Sequence, residues 1–117
     1  MNFTSSLKRN NDFRRLYNKG KSAASKYAVV YYRLNGRKSS NRLGITVSTK
    51  LGGAVQRNRI RRRLKEIYRL NESRIASGYD IVIVARMASR PASYKELESS
   101  VMFLFDKLHL MPRENKQ

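Results

Sequence analysis

The chain has no cysteine, a single histidine (His109), and only eight Asp and Glu among its 117 residues. Without cysteine there is no disulfide framework and no cysteine-based zinc knuckle or finger, which fits a reducing compartment. The acids are scattered: Asp12, Glu66, Glu72, Asp80, Glu96, Glu98, Asp106 and Glu114 form no D-x-D or H-E-x-x-H pattern of the kind that gathers metal ions. Glu96 and Glu98 lie two apart on a predicted helix and cannot face one another. His109 falls near the end of that helix, where its plain role is a helix-end cation. Gly52-Gly53 lacks the spacing and the Lys-Ser/Thr ending of a phosphate-cradling loop. No catalytic residue and no metal ligand is therefore assigned to the chain. Apolar runs fall far short of the roughly 20 residues that span a bilayer, and no signal-like segment follows Met1, so a soluble, cytoplasmic protein without membrane contact is expected. No repeat, Pro-rich linker or low-complexity tract divides the sequence. It reads as a single domain over 1–117, with an ordered core of about 8–110 and frayed ends at Met1 to Leu7 and Met111 to Gln117.

Positive charge is what the chain has in excess. Twenty-six Lys and Arg give a formal charge of +18, and a chain so small would repel itself unless a polyanion neutralised it. Apolar residues make up 40%, with seven Tyr and four Phe, enough to bury a core.

The charge is concentrated on one predicted helix. Six of the nine residues from Arg57 to Lys65 are basic. At about 100° per residue, Ile60, Leu64, Ile67, Asn71 and Ile75 fall in one narrow stripe. Asn58, Arg62, Lys65 and Arg69 form a second stripe opposite, with Arg59 and Arg61 on its flanks. A helix anchored on one face and positive on the other holds guanidinium groups rigidly, which suits phosphate oxygens and base edges. A merely solvated face would intersperse glutamates for i, i+4 pairing, and only Glu66 and Glu72 do so here.

The remaining pattern predicts a small sheet covered by helices. A first helix is expected from Asn11 to Asn18, capped by Asn10 or Asn11 and stopped by Gly20 in the left-handed conformation, with Phe13, Leu16 and Tyr17 on its apolar edge. Tyr27 to Leu34 and Arg42 to Ser48 read as strands joined in a hairpin, with a short extended segment around Ser22 to Ala24. The basic helix should end near Ser77-Gly78. Ile81 to Ala85 suits a strand buried on both faces. Ser93 and Glu96 form a capping-box pattern ahead of a last helix carrying Leu97, Val101, Leu104, Phe105 and Leu108. The order is helix, strands, helix, strand, helix. Strand alternation places Tyr27, Val29, Tyr31 and Arg33 on one face, where aromatics beside cations could stack on unpaired bases. Ordinary core packing explains Phe13, Leu16, Tyr17 and Tyr31 as well.

Ala54-Val55-Gln56-Arg57-Asn58-Arg59-Ile60-Arg61-Arg62-Arg63-Leu64-Lys65-Glu66 closely resembles the Arg-Asn-Arg signature of the bacterial ribonuclease P protein component. Its frame matches too: Asp12-Phe13 in a helix ending at Gly20, a strand carrying Tyr31, Gly44-Ile45-Thr46-Val47-Ser48 before the motif, and Tyr79 to Arg86 after it. The resemblance implies a two-layer α-β sandwich of the α+β class, similar to a domain of ribosomal protein S5, with a small central sheet and a left-handed strand-helix-strand crossover. It implies an accessory subunit of a ribonucleoprotein endoribonuclease whose RNA performs the chemistry with Mg²⁺, removing the 5′ leader of precursor tRNA. Carried onto this chain, Arg57, Asn58, Arg59, Arg61, Arg62 and Lys65 would meet the catalytic RNA near the cleavage site. Phe13, Tyr17, Tyr31 and Lys50 would line a leader cleft. The protein would be a monomer, one per RNA, with no cofactor of its own. Two departures stand out: Thr49-Lys50 where the family often has paired Lys, and Lys65 where Arg is usual, which loses the planar bidentate fork. The competing readings are a structural RNA-binding protein such as a ribosomal protein, an autonomous nuclease, and a helix-turn-helix DNA-binding module, the last disfavoured by the strand pattern.

Overall fold

A computed structural model of the chain describes residues 1–111. In order it runs β1 (Thr4–Ser6), α1 (Asn10–Lys19), β2 (Lys21–Ala24), β3 (Ala28–Leu34), β4 (Asn41–Thr46), α2 (Ala54–Asn71), β5 (Tyr79–Ala85) and α3 (Tyr94–Lys107). Single 3-10 turns lie at Thr49–Leu51, Glu72–Arg74 and Met87–Ser89. The fold is α+β, with one mixed five-stranded sheet ordered β1-β4-β5-β3-β2.

The continuous apolar run of β5 takes the centre of the sheet because both of its faces are buried. Ile81, Ile83 and Ala85 join the main core with Ile60, Leu64, Ile67 and Tyr68 of α2 and Leu97, Val101, Leu104 and Phe105 of α3. Val82 points the other way, into a smaller cluster with Leu7 and with Leu16 of α1. Each fully buried side chain of this kind contributes roughly 1.5–3 kcal/mol. Helices α2 and α3 thus form the thick side of the sandwich, and α1 lies across the opposite face of the sheet. The predicted stripe of the basic helix is the buried one: Ile60, Leu64, Ile67, Asn71 and Ile75 are all inside. The capping box also forms, with the Glu96 N–H donating to Ser93 Oγ and the Ser93 N–H to Glu96 Oε1.

Several expectations are corrected. β3 and β4 are not a hairpin, since β5 lies between them, antiparallel to β3 and parallel to β4. The segment Met1 to Leu7, expected to fray, contains an edge strand: β1 runs parallel to β4 with Thr4 opposite Asn41. The Asn2 and Phe3 N–H groups donate to the buried Glu72 carboxylate, and Leu7 is buried. At the other end Met111 is buried, while the rest of the expected frayed tail lies outside the described residues. The N-cap of α1 is Arg9, without a side-chain cap, in place of Asn10 or Asn11. Gly20 is extended at φ −75°, not left-handed. Its lack of a side chain answers a close approach, because a β-carbon there would stand 2.6 Å from the Leu16 carbonyl oxygen. Helix α2 ends at Asn71, earlier than the expected Ser77-Gly78, and the chain passes through the Glu72–Arg74 turn.

Candidate RNA interface

Gly52, at φ +125°, turns the chain into α2, and Gly53 caps the helix with no side chain of its own. A β-carbon at residue 52 would collide with the far end of the Gln56 side chain, which can swing away, so it is the positive φ that calls for glycine there. Arg57 is half-buried and donates from Nε to the Gly52 carbonyl at 3.1 Å, which fixes its guanidinium at the mouth of the helix. Arg61 Nη1 donates to Asn58 Oδ1 at 2.9 Å, so these two polar heads are held as a pair one turn apart. Arg62 and Lys65 are exposed. Arg69, placed by sequence on the same positive stripe, is instead bound to Glu66 through Nε at 2.8 Å and Nη2 at 2.7 Å. The Arg69 guanidinium beside it holds the Glu66 carboxyl below the ordinary range.

Arg59 and Arg61, on the two flanks of the basic stripe, face two different concavities. On one side of α2, Arg61 and Lys65 line a groove of about 390 Å³ together with Phe13, Gly44, Ile45 and the β1 residues Thr4, Ser5 and Ser6. On the other side, Arg59 lines a notch of about 350 Å³ with Gln56, Ile60, Arg63, Arg90 and Pro91. Sequence periodicity separates the two flanks but does not disclose the notch, because Arg90 arrives from the turn before α3, which no helical wheel includes. Asn58, Arg61 and Arg62 meet with Val55 in a third, shallower site on the outer face.

The aromatic residues gather on the α1 side of the sheet. Tyr17 and Tyr31 meet edge to face with ring centroids 5.0 Å apart, and Phe13 follows at 6.5 Å from Tyr17. Tyr17 Oη and Thr46 Oγ1 share a 2.7 Å hydrogen bond, which ties the helix to β4. Tyr17 is 39% exposed, and Phe13 and Tyr31 are half-buried, so ring surface remains open to a ligand. Phe13 is common to this cluster and to the Arg61–Lys65 groove, which makes aromatic and basic surfaces continuous. Lys50 stands apart: it is exposed on the turn before α2, and no hydrogen bond or ring contact joins its side chain to the three aromatics. Tyr27 also leaves the expected face. It precedes β3, packs against the main core and donates to Glu96 of α3.

Two of the carboxylates are engaged by one arginine, Arg42. Asp80 receives Arg42 Nε at 2.9 Å and Nη2 at 2.5 Å, and Asp12 receives Arg42 Nη1 at 3.2 Å. Among the described residues no three His, Cys, Asp or Glu come together as a metal site. The arrangement offers cations and aromatic rings, the equipment for binding a polyanion with unpaired bases.

Comparison with known proteins agrees. The family described as Ribonuclease P matches residues 1–109. The ribonuclease P protein component of Alkaliphilus metalliredigens (strain QYMF) is 43% identical over 111 residues, covering 95% of this chain and 99% of that protein. That of Lachnoclostridium phytofermentans is 51% identical over 104 residues, covering 89% and 88%. The solved structure of the Staphylococcus aureus RNase P protein superposes with a TM-score of 0.84 at 35% identity, covering 91% of this chain and 96% of that one. The Thermotoga maritima RNase P protein, solved in complex with 1-(4-fluorophenyl)-2-thiourea, gives 0.77 at 33% identity, covering 83% and 94%. The chain belongs to the bacterial ribonuclease P protein family, the protein component of the endoribonuclease that processes the 5′ end of tRNA.

Proposed function

We propose that the chain serves ribonuclease P by holding two RNAs at once: the catalytic RNA on Arg57, Asn58, Arg59, Arg61, Arg62 and Lys65, and the 5′ leader of precursor tRNA on Phe13, Tyr17 and Tyr31. One observation carries the reading. Phe13 belongs both to the aromatic cluster and to the groove lined by Arg61 and Lys65, so a strand laid on the rings leads directly to the basic helix.

The physical task is to bring two polyanions together. A protein of +18 reduces their repulsion, and the rings add contacts that only an unpaired leader can make. Precursor tRNA then binds better than mature tRNA. Ring stacking reads the face of a base and not its edge, so many leader sequences are accepted. Lys50, exposed on the turn before α2, adds positive charge and is not a wall of the aromatic cluster. The Mg²⁺ the reaction needs is assigned to the RNA phosphates; of the chain's own carboxylates, Asp12, Asp80, Glu66 and Glu72 are engaged by Arg42, Arg69 and the N-terminal amides, and Glu96 by Tyr27 and Ser93. The chain acts as a monomer, one per RNA, in the cytoplasm. The reading as a structural RNA-binding protein such as a ribosomal protein loses ground to the family match.

The test is cleavage of a precursor tRNA by bacterial ribonuclease P RNA at low Mg²⁺, with and without the protein. Stimulation giving the correct mature 5′ end, and a gain in affinity for precursor over mature tRNA, is the expected result. Equal enhancement of leaderless tRNA would refute the leader contact.

A further inference from the structure

The notch on the far side of α2 has no part in the leader path, yet it is the most densely cationic concavity among those described. Arg59, Arg63 and Arg90 converge on about 350 Å³, with Ile60 and Pro91 as apolar lining and Gln56 as the remaining polar side chain. Three guanidinium groups around one small space repel one another unless an anion sits among them. Among the described residues no carboxylate pairs with any of the three, since the ion pairs join Arg42 to Asp12 and Asp80 and Arg69 to Glu66. Arg63 is half-buried and is held in place by a 3.1 Å hydrogen bond from Nη1 to the Ala92 carbonyl. That bond spends one of the five guanidinium donors and fixes the direction of the rest. Arg59 and Arg90 are exposed, at the rim.

We infer that the Arg59–Arg63–Arg90 notch binds a backbone phosphate of ribonuclease P RNA, so that the RNA clasps α2 on both flanks and does not merely lie against its outer face. Planar guanidinium forks match phosphate oxygens bidentately, and the anchored Arg63 defines where such a phosphate sits while Arg59 and Arg90 close on it from the rim. Continuity argues for RNA as the source: Arg59 stands about one helical turn from Arg62 on the motif helix, and the concavities on α2 succeed one another around it from Arg61 through Arg62 to Arg59. A helix gripped from two sides is fixed in rotation about its own axis, which a single contact face does not achieve. The consequence is orientation: Phe13 and the leader surface on the opposite flank are then aimed relative to the catalytic RNA.

This inference rests on the proposed RNA-binding role of α2, and the test separates the two. The full chain, its Arg90→Gln and Arg63→Gln variants, and Arg62→Gln on the outer face are titrated against ribonuclease P RNA between about 50 and 200 mM salt. If Arg90 holds a phosphate, Arg90→Gln binds several-fold more weakly at the low-salt end. Its log–log salt slope is shallower by about one, so the deficit narrows roughly fourfold by the high-salt end. Arg63→Gln moves in the same direction, and the preference for precursor over mature tRNA is unchanged in both. Loss of affinity in Arg62→Gln with none in Arg90→Gln overturns the notch while leaving the role of α2 intact; no loss in either overturns both. Thermal unfolding with added inorganic phosphate, at constant ionic strength, distinguishes the sources. A phosphate-induced rise in midpoint that Arg90→Gln abolishes, with unaltered RNA affinity, assigns the notch to small anions and overturns the inference.

Discussion

The ring of Phe13 lies so close over Gly44 that a β-carbon added at residue 44 would stand 2.5 Å from its Cζ. Helix α1 can settle onto β4 only because that position has no side chain. Gly44→Ala must therefore move the ring, which is the far end of a side chain and can give way. The expected cost is about 1–2 kcal/mol of stability from overpacking. The sharper effect is on function: the preference for precursor over mature tRNA should fall, because the displaced ring leaves the junction between the aromatic cluster and the Arg61–Lys65 groove. Equilibrium binding of the two tRNAs to the reconstituted holoenzyme checks this, and an unchanged preference would remove Phe13 from the leader path.

Tyr31 makes the edge-to-face contact with Tyr17 and keeps ring surface open beside it. If it stacks on a leader base, Tyr31→Ala should lose about 1–3 kcal/mol of precursor binding, or roughly five- to 150-fold. Mature tRNA should be unaffected. Tyr31→Phe should retain most of the affinity, since the ring is placed by its packing against Tyr17 and by the strand that carries it. Equal losses in both variants would point to the hydroxyl and away from stacking.

What the sequence disclosed, and what it hid, follows from the range of the forces involved. The buried stripe of α2 was legible because Ile60, Leu64, Ile67 and Asn71 repeat at the helical period, although Ile75, buried too, lies beyond the helix end; the α3 start was legible because Ser93 and Glu96 satisfy one another three residues apart. The place of β5 between β3 and β4 was not. The residues from Asn35 to Ser40 look like a hairpin loop, and the deciding fact is the two-sided burial of a strand encoded far downstream. Strand β1 left no local trace, being three short polar residues whose amide neighbours are captured by Glu72 some seventy residues away. The site divides likewise. The aromatic trio comes together and the motif forms a helix, as the local pattern suggests, but the flanks of α2 depend on Arg90 and on β1, which only tertiary structure brings to it.

Arg42 joins three elements, and its two acidic partners are not equivalent. Asp80 takes two of its donors and also accepts from Asn35 Nδ2 at 3.3 Å, whereas Asp12 takes one donor at 3.2 Å. Hydrogen bonding to Asp80 is the main reason that the Arg42 pKa is raised above its ordinary value. Asp80→Asn should accordingly cost about 2–3 kcal/mol, because a bidentate, largely buried pair is broken. Asp12→Asn should cost less than about 1 kcal/mol. Urea unfolding midpoints at constant m-value give the order. The reverse order would mean that the start of α1, and not the β4–β5 pairing, is what Arg42 secures.

Glu72 is 2% exposed, and its carboxylate accepts the Asn2 and Phe3 N–H groups that lead into the N-terminal strand. Burial opposes the carboxylate charge, but the Thr4 hydroxyl, the Asn2 and Phe3 amides and the N-terminal ammonium together outweigh it, so its pKa lies below the ordinary glutamate value. A depressed carboxyl pKa stabilises the fold at pH values above the unfolded-state pKa of about 4.3, and that stability is lost as pH falls through the lower, folded-state value. Glu72→Gln keeps the shape and removes the charge. At neutral pH it should be less stable than the parent by about 1–3 kcal/mol, with faster amide exchange at Leu7, whose N–H donates to the Leu43 carbonyl next to β1. On acidification the parent should lose its advantage while the variant, having nothing to titrate at this position, does not, so the two unfolding curves converge below the glutamate range. A gap that persists undiminished into acid would show that shape, and not charge, docks β1. Because Thr4, Ser5 and Ser6 wall the groove that holds Arg61 and Lys65, the same substitution should weaken binding to ribonuclease P RNA at neutral pH without touching any cation in the interface.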